Sequence, residues 1–193
     1  MFEEYRNSFP IEDEKWNAFV SCFKQINVPS KTTLLQEGET PKKMFLIEKG
    51  CIRVWFNNNG TDITTQFFFE NNMVSSIESF RKGIPSPVVI ETIEPCTLWW
   101  IDKTDVDKII NEMMEIPKLR DLFIDLISNR MYDYMNFFIT TIKDSPLQRY
   151  LKLMKERPEI IQRVAQHYIA SYLGITSVHL SRIKSKITRE GIR

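Results

Sequence analysis

The segment Ser177–Lys186, SVHLSRIKSK, carries hydroxyl and cationic side chains along the outward face of one predicted helix. Hydroxyl, guanidinium and ammonium groups donate hydrogen bonds to phosphate oxygens, and the cations attract a polyanion. This chemistry suits binding in the phosphate-lined groove of DNA. The side chains that provide it are Ser177, Ser181, Arg182, Lys184 and Lys186.

A second short segment precedes this helix, and together the two predict a helix-turn-helix from Gln166 to Ile187. The apolar residues that form the inner faces of both helices are Ile169, Ala170, Leu173, Leu180 and Ile183. Gly174 stands where the first helix must end, and glycine readily adopts the positive φ of such an end. Thr176 then supplies an N-cap hydroxyl for the second helix. A helical hairpin of another function can also contain such a glycine, but the cap and the basic outer face favour DNA binding.

Charge is unevenly divided along the 193 residues, although the net charge is only +1. Residues 145–193 contain 10 Lys and Arg against 3 Asp and Glu, a surplus of +7, and the other 144 residues carry a net charge of −6. The basic part coincides with the predicted helix-turn-helix. We therefore expect a polyanion-binding module joined to a module with another task.

The sequence does not provide the residues that a disulfide framework, an iron–sulfur cluster or a metal-dependent active site requires. Cys22, Cys51 and Cys96 are odd in number and widely spaced, which indicates reduced, buried thiols rather than a disulfide framework or an iron–sulfur site. His167 and His179 both fall in the C-terminal module, so a metal-dependent enzyme built on the β-rich part is not supported. We expect a non-enzyme, with no catalytic residue, no metal site and no cofactor.

The first part of the chain is predicted to be a helical segment followed by an antiparallel β-roll. Residues 3–26 carry Trp16, Phe19, Val20 and Phe23 at helical spacing. From residue 32 onward, short runs of β-forming residues alternate with turn residues. The predicted strands are Thr32–Gln36, Met44–Glu48, Cys51–Phe56, Ile63–Phe69, Val88–Ile93 and Thr97–Ile101. Short strands at this spacing indicate a roll or barrel.

The chain after Asp102 is predicted to be helical again, and a longer helix opens at Pro117. The apolar residues of the longer helix recur every three to four positions, and the candidate dimer contacts are Phe123, Ile127, Met131, Tyr134 and Phe138. One small roll cannot cover so long an apolar stripe, which favours pairing with a second subunit over packing within one chain. Beyond the break at Asp144-Ser145-Pro146, a helix is predicted over 147–156. Residues 160–164 are predicted to form a short link, for which an extended backbone is one alternative.

The order of these elements resembles the catabolite-activator (Crp/Fnr) family of bacterial transcription regulators over essentially the whole chain. Its most specific segments are IASYLGIT and LSRIKSKI at the C-terminus, and LLQEGE and MFLIEKGCIRVWF in the roll, where Gly38 and Gly50 fall at turns that the family uses. The resemblance implies an α+β fold: an N-terminal helical segment and jelly-roll-like β-roll, a long dimerisation helix and a winged helix-turn-helix. The corresponding domains are residues 1–114, 115–144 and 145–193.

The resemblance also implies a homodimer that binds a pseudo-palindromic operator in double-stranded DNA. Ser177, Val178 and Arg182 occupy positions that usually meet base edges. Arg182 can donate two hydrogen bonds to guanine O6 and N7, and a phosphate contact or a solvated charge is its alternative role. Val178 departs from the polar or acidic residue of many members and can touch a thymine methyl group. The predicted DNA-binding residues are Thr176, Ser177, Val178, Ser181, Arg182, Lys184 and Lys186, of which the two lysines are expected at phosphates.

The effector segment departs from family members that bind a cyclic nucleotide. Those members use a Gly-Glu-Leu-type segment and a later Arg-Ser/Thr-Ala segment, whose arginine neutralises the cyclic phosphate. Here Ser75 and Ser76 stand in place of the glycine and glutamate, and Pro85 in place of the arginine. A buried phosphate without a cation is strongly disfavoured, so no tight binding of cyclic AMP or cyclic GMP is expected. The candidate pocket residues are Ser75, Ser76, Ile77, Glu78 and Ser86.

Two cations lie near this segment. Arg81 and Lys82 follow Phe80 and are expected to be solvated rather than to replace the missing arginine. Glu78 is displaced by two residues from the expected glutamate, which turns it to another helix face.

The predicted function is that of a DNA-binding transcription regulator of the Crp/Fnr type, controlled by an unknown effector or by none. The alternative is a cyclic-nucleotide-type regulatory module that acts on a protein partner instead of DNA. RNA polymerase is a further candidate partner. The sequence carries no recognisable signal peptide or membrane-spanning stretch, so a cytoplasmic location is expected.

Overall fold

The computed structural model describes residues 2–7 and 9–191, and the chain divides into two compact units. The first unit comprises Met1–Val54 and Phe68–Asn129, and the second comprises Trp55–Phe67 and Arg130–Arg193. The second unit therefore combines the tip of one β-hairpin with the C-terminal helices.

Eight strands of the described chain form two four-stranded sheets. They are β1 (Lys24–Val28), β2 (Thr33–Leu35), β3 (Lys43–Lys49), β4 (Ile52–Asn58), β5 (Thr61–Phe68), β6 (Met73–Val74), β7 (Val89–Thr92) and β8 (Cys96–Asp102). The strand order is β1-β8-β3-β6 in one sheet and β2-β7-β4-β5 in the other. The pairs β1–β8, β3–β8, β3–β6 and β2–β7 are all antiparallel.

An apolar core fills the roll. Alternate residues of β3 and of β8 enter it, because successive side chains of a strand point to opposite faces, and β2, β4, β5, β6 and β7 add one buried residue each. The buried members are Leu35, Phe45, Ile47, Ile52, Phe68, Val74, Ile90, Cys96 and Leu98. At the joint between β3 and β4, Gly50 takes a φ of +114°, and a Cβ there would overlap Cys96 Sγ. Glycine is therefore required at this hairpin, where the sequence predicts a tight turn.

The nine helices of the described residues flank and follow the roll. They are α1 (Phe2–Arg6), α2 (Asp13–Ser21), α3 (Ile77–Lys82), α4 (Lys103–Met114), α5 (Pro117–Lys143), α6 (Pro146–Glu156), α7 (Pro158–Arg163), α8 (Gln166–Tyr172) and α9 (Ser177–Glu190). None of them is long and apolar enough to span a membrane. The α+β architecture, with a roll, a long helix and a terminal helix-turn-helix, confirms the predicted fold class.

The structure differs from the prediction in three local features. The helical segment predicted over residues 3–26 is two short helices followed by β1, in which Ile26 opposes Leu98 of β8. The two-residue strand β6 was missed. Residues 160–164, predicted as a link, lie largely in α7, where Pro158 opens the helix instead of only ending the previous one.

The wing implied by the resemblance has no counterpart within residues 145–191. All four elements of this part of the chain are helices. As far as residue 191, the C-terminal part of the chain thus consists of α6 to α9.

Candidate nucleic-acid interface

The predicted helix-turn-helix is formed by α8 and α9. Leu173 caps the C-terminal end of α8, and Gly174 follows with a φ of +66°. Thr176 is the N-cap of α9, and its Oγ1 accepts a hydrogen bond of 3.2 Å from the His179 amide. The five predicted inner-face residues are all buried: Ile169, Ala170, Leu173, Leu180 and Ile183. The inner packing and the turn chemistry of the motif agree with the prediction.

The opposite face of α9 is open to solvent. At about 100° per residue, five side chains lie within about 50° of the direction opposite to the buried Leu180 and Ile183. They are Val178, Ser181, Arg182, Ser185 and Arg189, and all five are exposed. Ser185 and Arg189 were missed by the sequence analysis, although they lie three and seven residues after Arg182.

The remaining predicted DNA-binding residues lie at the edges of this face. Ser177 and Thr176 are exposed at the start of α9, and Lys186 is exposed on one flank. Lys184 is half-buried on the other flank, where it lines a shallow groove with Gln166, Ser181, Ser185, Thr188 and Arg189. The structure therefore brings the predicted set onto one continuous surface, with Lys184 and Lys186 on opposite sides.

Glu190 forms ion pairs with two cations of α9, Lys186 and Arg189. Lys186 Nζ lies 4.0 Å from Glu190 Oε2, and Arg189 Nη2 lies 3.2 Å from Glu190 Oε1. Within the described ranges, no carboxylate pairs with Arg182 or Lys184. The positive charge of Arg182 and Lys184 is thus available to an external anion.

The tip of the β4–β5 hairpin packs against α8. The Ser171 hydroxyl donates a hydrogen bond of 2.7 Å to the Asp62 carbonyl and accepts one of 2.9 Å from the Thr64 amide. The Tyr172 ring lies between those of Phe67 and Phe137, with centroids 5.3 and 5.0 Å away. Burial raises the pKa of the Tyr172 phenol. These contacts hold the first helix of the motif in place.

Helix α5 exposes an apolar face along most of its length. Of the five predicted dimer contacts, Ile127, Met131, Tyr134 and Phe138 are exposed, and Phe123 is half-buried. Additional apolar residues exposed on the same side are Ile124, Met135 and Ile142. With Ile127, Met131 and Phe138 they recur at intervals of three and four residues, the spacing of a helix that packs on another helix.

The predicted effector residues surround α3 in the first unit. Ser76 is buried as the N-cap of α3, and the Ser75 hydroxyl donates to the Lys43 carbonyl at 3.2 Å. Ile77 and Glu78 are exposed, so they line the outside of this segment and not a cavity. Glu78 accepts a hydrogen bond of 2.6 Å from Lys82 Nζ, which lowers the pKa of the carboxyl group.

Ser86, the last predicted effector residue, is 2% exposed and committed to internal hydrogen bonds. Its hydroxyl donates to the Val88 carbonyl at 2.8 Å, its amide donates to the Glu39 carbonyl, and its carbonyl accepts from Gly38. The neighbouring Ser79, which the sequence analysis did not name, is 1% exposed and donates to the Pro85 carbonyl. The buried hydroxyl groups of Ser79 and Ser86 therefore both donate hydrogen bonds within the protein, and we call the segment that contains them closed.

Comparisons with known proteins assign the roll and the fold. Residues 25–113 match the family model of the cyclic nucleotide-binding domain. The c-di-GMP-responsive global regulator CLP of Xanthomonas campestris shares the fold at 15% identity, with a TM-score of 0.72 over 94% of both chains. FixK2 of Bradyrhizobium japonicum is 14% identical, with a TM-score of 0.71 over 88% of this chain and 86% of its own. The chain has the Crp/Fnr fold.

The catabolite activator protein of Thermus thermophilus, at 16% identity, covers 95% of this chain and 86% of its own with a TM-score of 0.52. No curated protein sequence matches the chain. The predicted resemblance is thus confirmed at the level of the fold, and the match to the cyclic nucleotide-binding domain is confined to residues 25–113.

Within the matched residues 25–113, Arg53 of β4 is buried, and it is the one buried charged side chain in the described part of the protein. It is 1% exposed, and its Nη2 lies 3.9 Å from Oε2 of Glu91, which is 14% exposed. Arg81 and Lys82, by contrast, are exposed, as the sequence predicts. Arg53 was missed from the sequence, where its only signal is a cation between Ile52 and Val54 in a predicted strand. Glu91 thus places a negative charge beside this buried guanidinium.

Proposed function

We propose that the protein is a dimeric, DNA-binding transcription regulator of the Crp/Fnr type. In this proposal residues 1–114 are the sensor domain, residues 115–144 the dimerisation helix and residues 145–193 the DNA-binding domain. The observation that carries the proposal is the open face of α9, where Arg182 stands opposite the buried side of the helix without a carboxylate partner in the described chain. A helix of this kind enters the major groove and reads base edges.

The exposed apolar face of α5 supports the dimer. A two-fold axis between two copies of α5 would bury Ile127, Met131 and Phe138 on both chains. The same axis would present two copies of α9, which is what a pseudo-palindromic operator requires. Dimerisation and operator recognition therefore follow from one arrangement.

Selection of genomic fragments by the purified full-length protein tests the proposal. Fragments retained at moderate salt are sequenced, and their affinity is then measured at several salt concentrations. A DNA-binding regulator should show a shared sequence pattern and a steep fall of affinity with salt. A module that acts on a protein partner would show neither, and that result would contradict the proposal.

Replacing Arg182 by methionine is expected to lower affinity for the selected operator about 10- to 100-fold, since one bidentate arginine–guanine contact contributes roughly 1–3 kcal/mol. Binding to DNA of unrelated sequence should change far less. Fluorescence anisotropy measures the affinity for each DNA. The ratio of operator affinity to the affinity for unrelated DNA shows whether Arg182 contacts a base. Equal losses on both DNAs would assign Arg182 to a phosphate.

The matched control for Arg182 is Lys186→Met. It removes a cation from the same helix, but one that already lies 4.0 Å from Glu190. We expect a small loss of affinity that is the same for both DNAs. Together the two variants separate base recognition from general attraction.

We further propose that cyclic AMP and cyclic GMP are not the effectors. Calorimetric titration of the full-length protein with each nucleotide should give no micromolar isotherm, because the closed segment around Ser86 has no surplus buried cation for the phosphate. The melting temperature should also stay unchanged, whereas a nucleotide present at 100 times its Kd would add about 2.7 kcal/mol of stability. A micromolar or tighter isotherm would refute this prediction.

A further inference from the structure

The guanidinium of Arg149 joins the ends of two helices. Its Nη1 donates to the carbonyl oxygens of Thr141, at 2.9 Å, and Asp144, at 3.2 Å, where α5 ends. Its Nη2 donates to the carbonyl oxygen of Leu173, at 2.9 Å, where α8 ends. One side chain thus links the end of the proposed dimerisation helix to the turn of the helix-turn-helix.

Helix C-terminal ends are good acceptors for this group. The last carbonyls of a helix lack intrahelical partners and carry the negative end of the helix dipole. A guanidinium is planar and directs its donors in several fixed directions, so it can meet carbonyls of two helices at once. A lysine ammonium has the same charge but lacks the planar arrangement of donors with which a guanidinium contacts two helices.

The rest of the junction is also ordered. Arg149 lies in the first turn of α6, which begins with a capping box: Ser145 Oγ accepts from the Gln148 amide at 3.4 Å, and Gln148 Oε1 accepts from the Ser145 amide at 2.8 Å. A second tie between α5 and α8 is the stacking of Phe137 on Tyr172. The break after α5 is therefore a fixed corner and not a loose linker.

We propose that Arg149 is a positioning residue that fixes the orientation of the helix-turn-helix on α5 and thereby the spacing of the two half-sites that a dimer recognises. This inference rests on the proposed function. In a two-fold dimer built on α5, the corner at Arg149 occurs twice, and it sets the distance between the two copies of α9. That distance must match about one turn of DNA, roughly 34–36 Å.

Arg149→Met tests the proposal, because it keeps an unbranched apolar side chain and removes every donor. Affinity is measured for the selected operator, for operators with one base pair added to or removed from the spacer, and for an isolated half-site. The wild-type protein should bind the native spacing best. In the variant, the ratio of affinities between native and altered spacing should fall at least about tenfold, while half-site affinity and the dimer mass are retained.

Two further variants make the result specific. Lys152→Met removes a cation from the same helix, one that lies 3.9 Å from Glu156, and should leave the spacing preference unchanged. Arg149→Lys retains the charge and should lose the preference as the methionine variant does. It also provides the decisive measurement if the methionine variant does not fold.

Three outcomes would overturn the inference. The first is a variant that keeps the wild-type spacing preference, and the second is one that loses affinity for all DNAs in equal proportion, as a merely structural role would give. The third is a wild-type protein that binds DNA without any spacing preference. In each of these outcomes the wild-type protein still binds DNA, whereas a wild-type protein that selects no DNA would refute the proposed function.

Discussion

Replacing both Met131 and Phe138 of α5 by aspartate is expected to convert the protein from dimer to monomer and to abolish operator binding. The two side chains are 55% and 66% exposed in a single chain, and the proposed dimer buries them. Two-fold symmetry places four new carboxylates in an apolar interface, where an unpaired charge is strongly disfavoured. The dimer Kd should rise by at least about 100-fold, equivalent to roughly 3 kcal/mol. Sedimentation equilibrium measures the Kd.

The matched control for this variant is Asn136→Asp. Asn136 is exposed on the opposite side of α5, so the change adds a carboxylate to the same helix without altering the apolar face. Its dimer Kd should equal that of the wild-type protein. A double aspartate variant that remains a dimer would show that the subunits join through another surface.

Replacing Glu91 by glutamine is expected to lower the free energy of unfolding by about 3–5 kcal/mol, the cost of breaking a buried ion pair from one side. The change removes the Glu91 carboxylate from beside the guanidinium of Arg53, which is 1% exposed. Urea unfolding followed by circular dichroism measures the loss. All variants are compared at one protein concentration, because dimerisation contributes to stability.

The control for the ion pair is the double variant Arg53→Met and Glu91→Met. Replacing both partners by apolar side chains of similar length removes the desolvation cost together with the attraction, which is often neutral or stabilising. The double variant should therefore be more stable than Glu91→Gln alone. A Glu91→Gln protein within about 1 kcal/mol of the wild type would mean that Arg53 is neutralised by other groups.

The sequence predicted the C-terminal module closely, because its signals are local. Gly174 and Thr176 mark the turn within a few residues of the helices that they separate, and the buried positions follow from helical periodicity. The first residues of β1 were mistaken for helix because their conformation depends on pairing with β8, in which Lys24 opposes Trp100 and Ile26 opposes Leu98. Short strands of this kind take their structure from a partner that local periodicity does not reveal.

The residues that position the candidate site were missed for a related reason. Arg149 and Ser171 act on backbone carbonyl and amide groups, which carry no sequence signal of their own. Ser171 contacts Asp62 and Thr64 across more than 100 residues of chain. Helical spacing alone could have placed Ser185 and Arg189 on the outward face of α9. Their exposure to solvent, however, depends on how α8 and α9 pack.

The contact between Ser171 and β5 also bears on how the chain avoids self-association. β5 is the outermost strand of its sheet, and an outermost strand offers free amide and carbonyl groups to which a strand of another molecule can add. The Ser171 hydroxyl of α8 binds one such carbonyl and one such amide, at Asp62 and Thr64. A fragment cut before α8 would uncover both groups, so the isolated roll is the form of this protein most prone to aggregate through its edge.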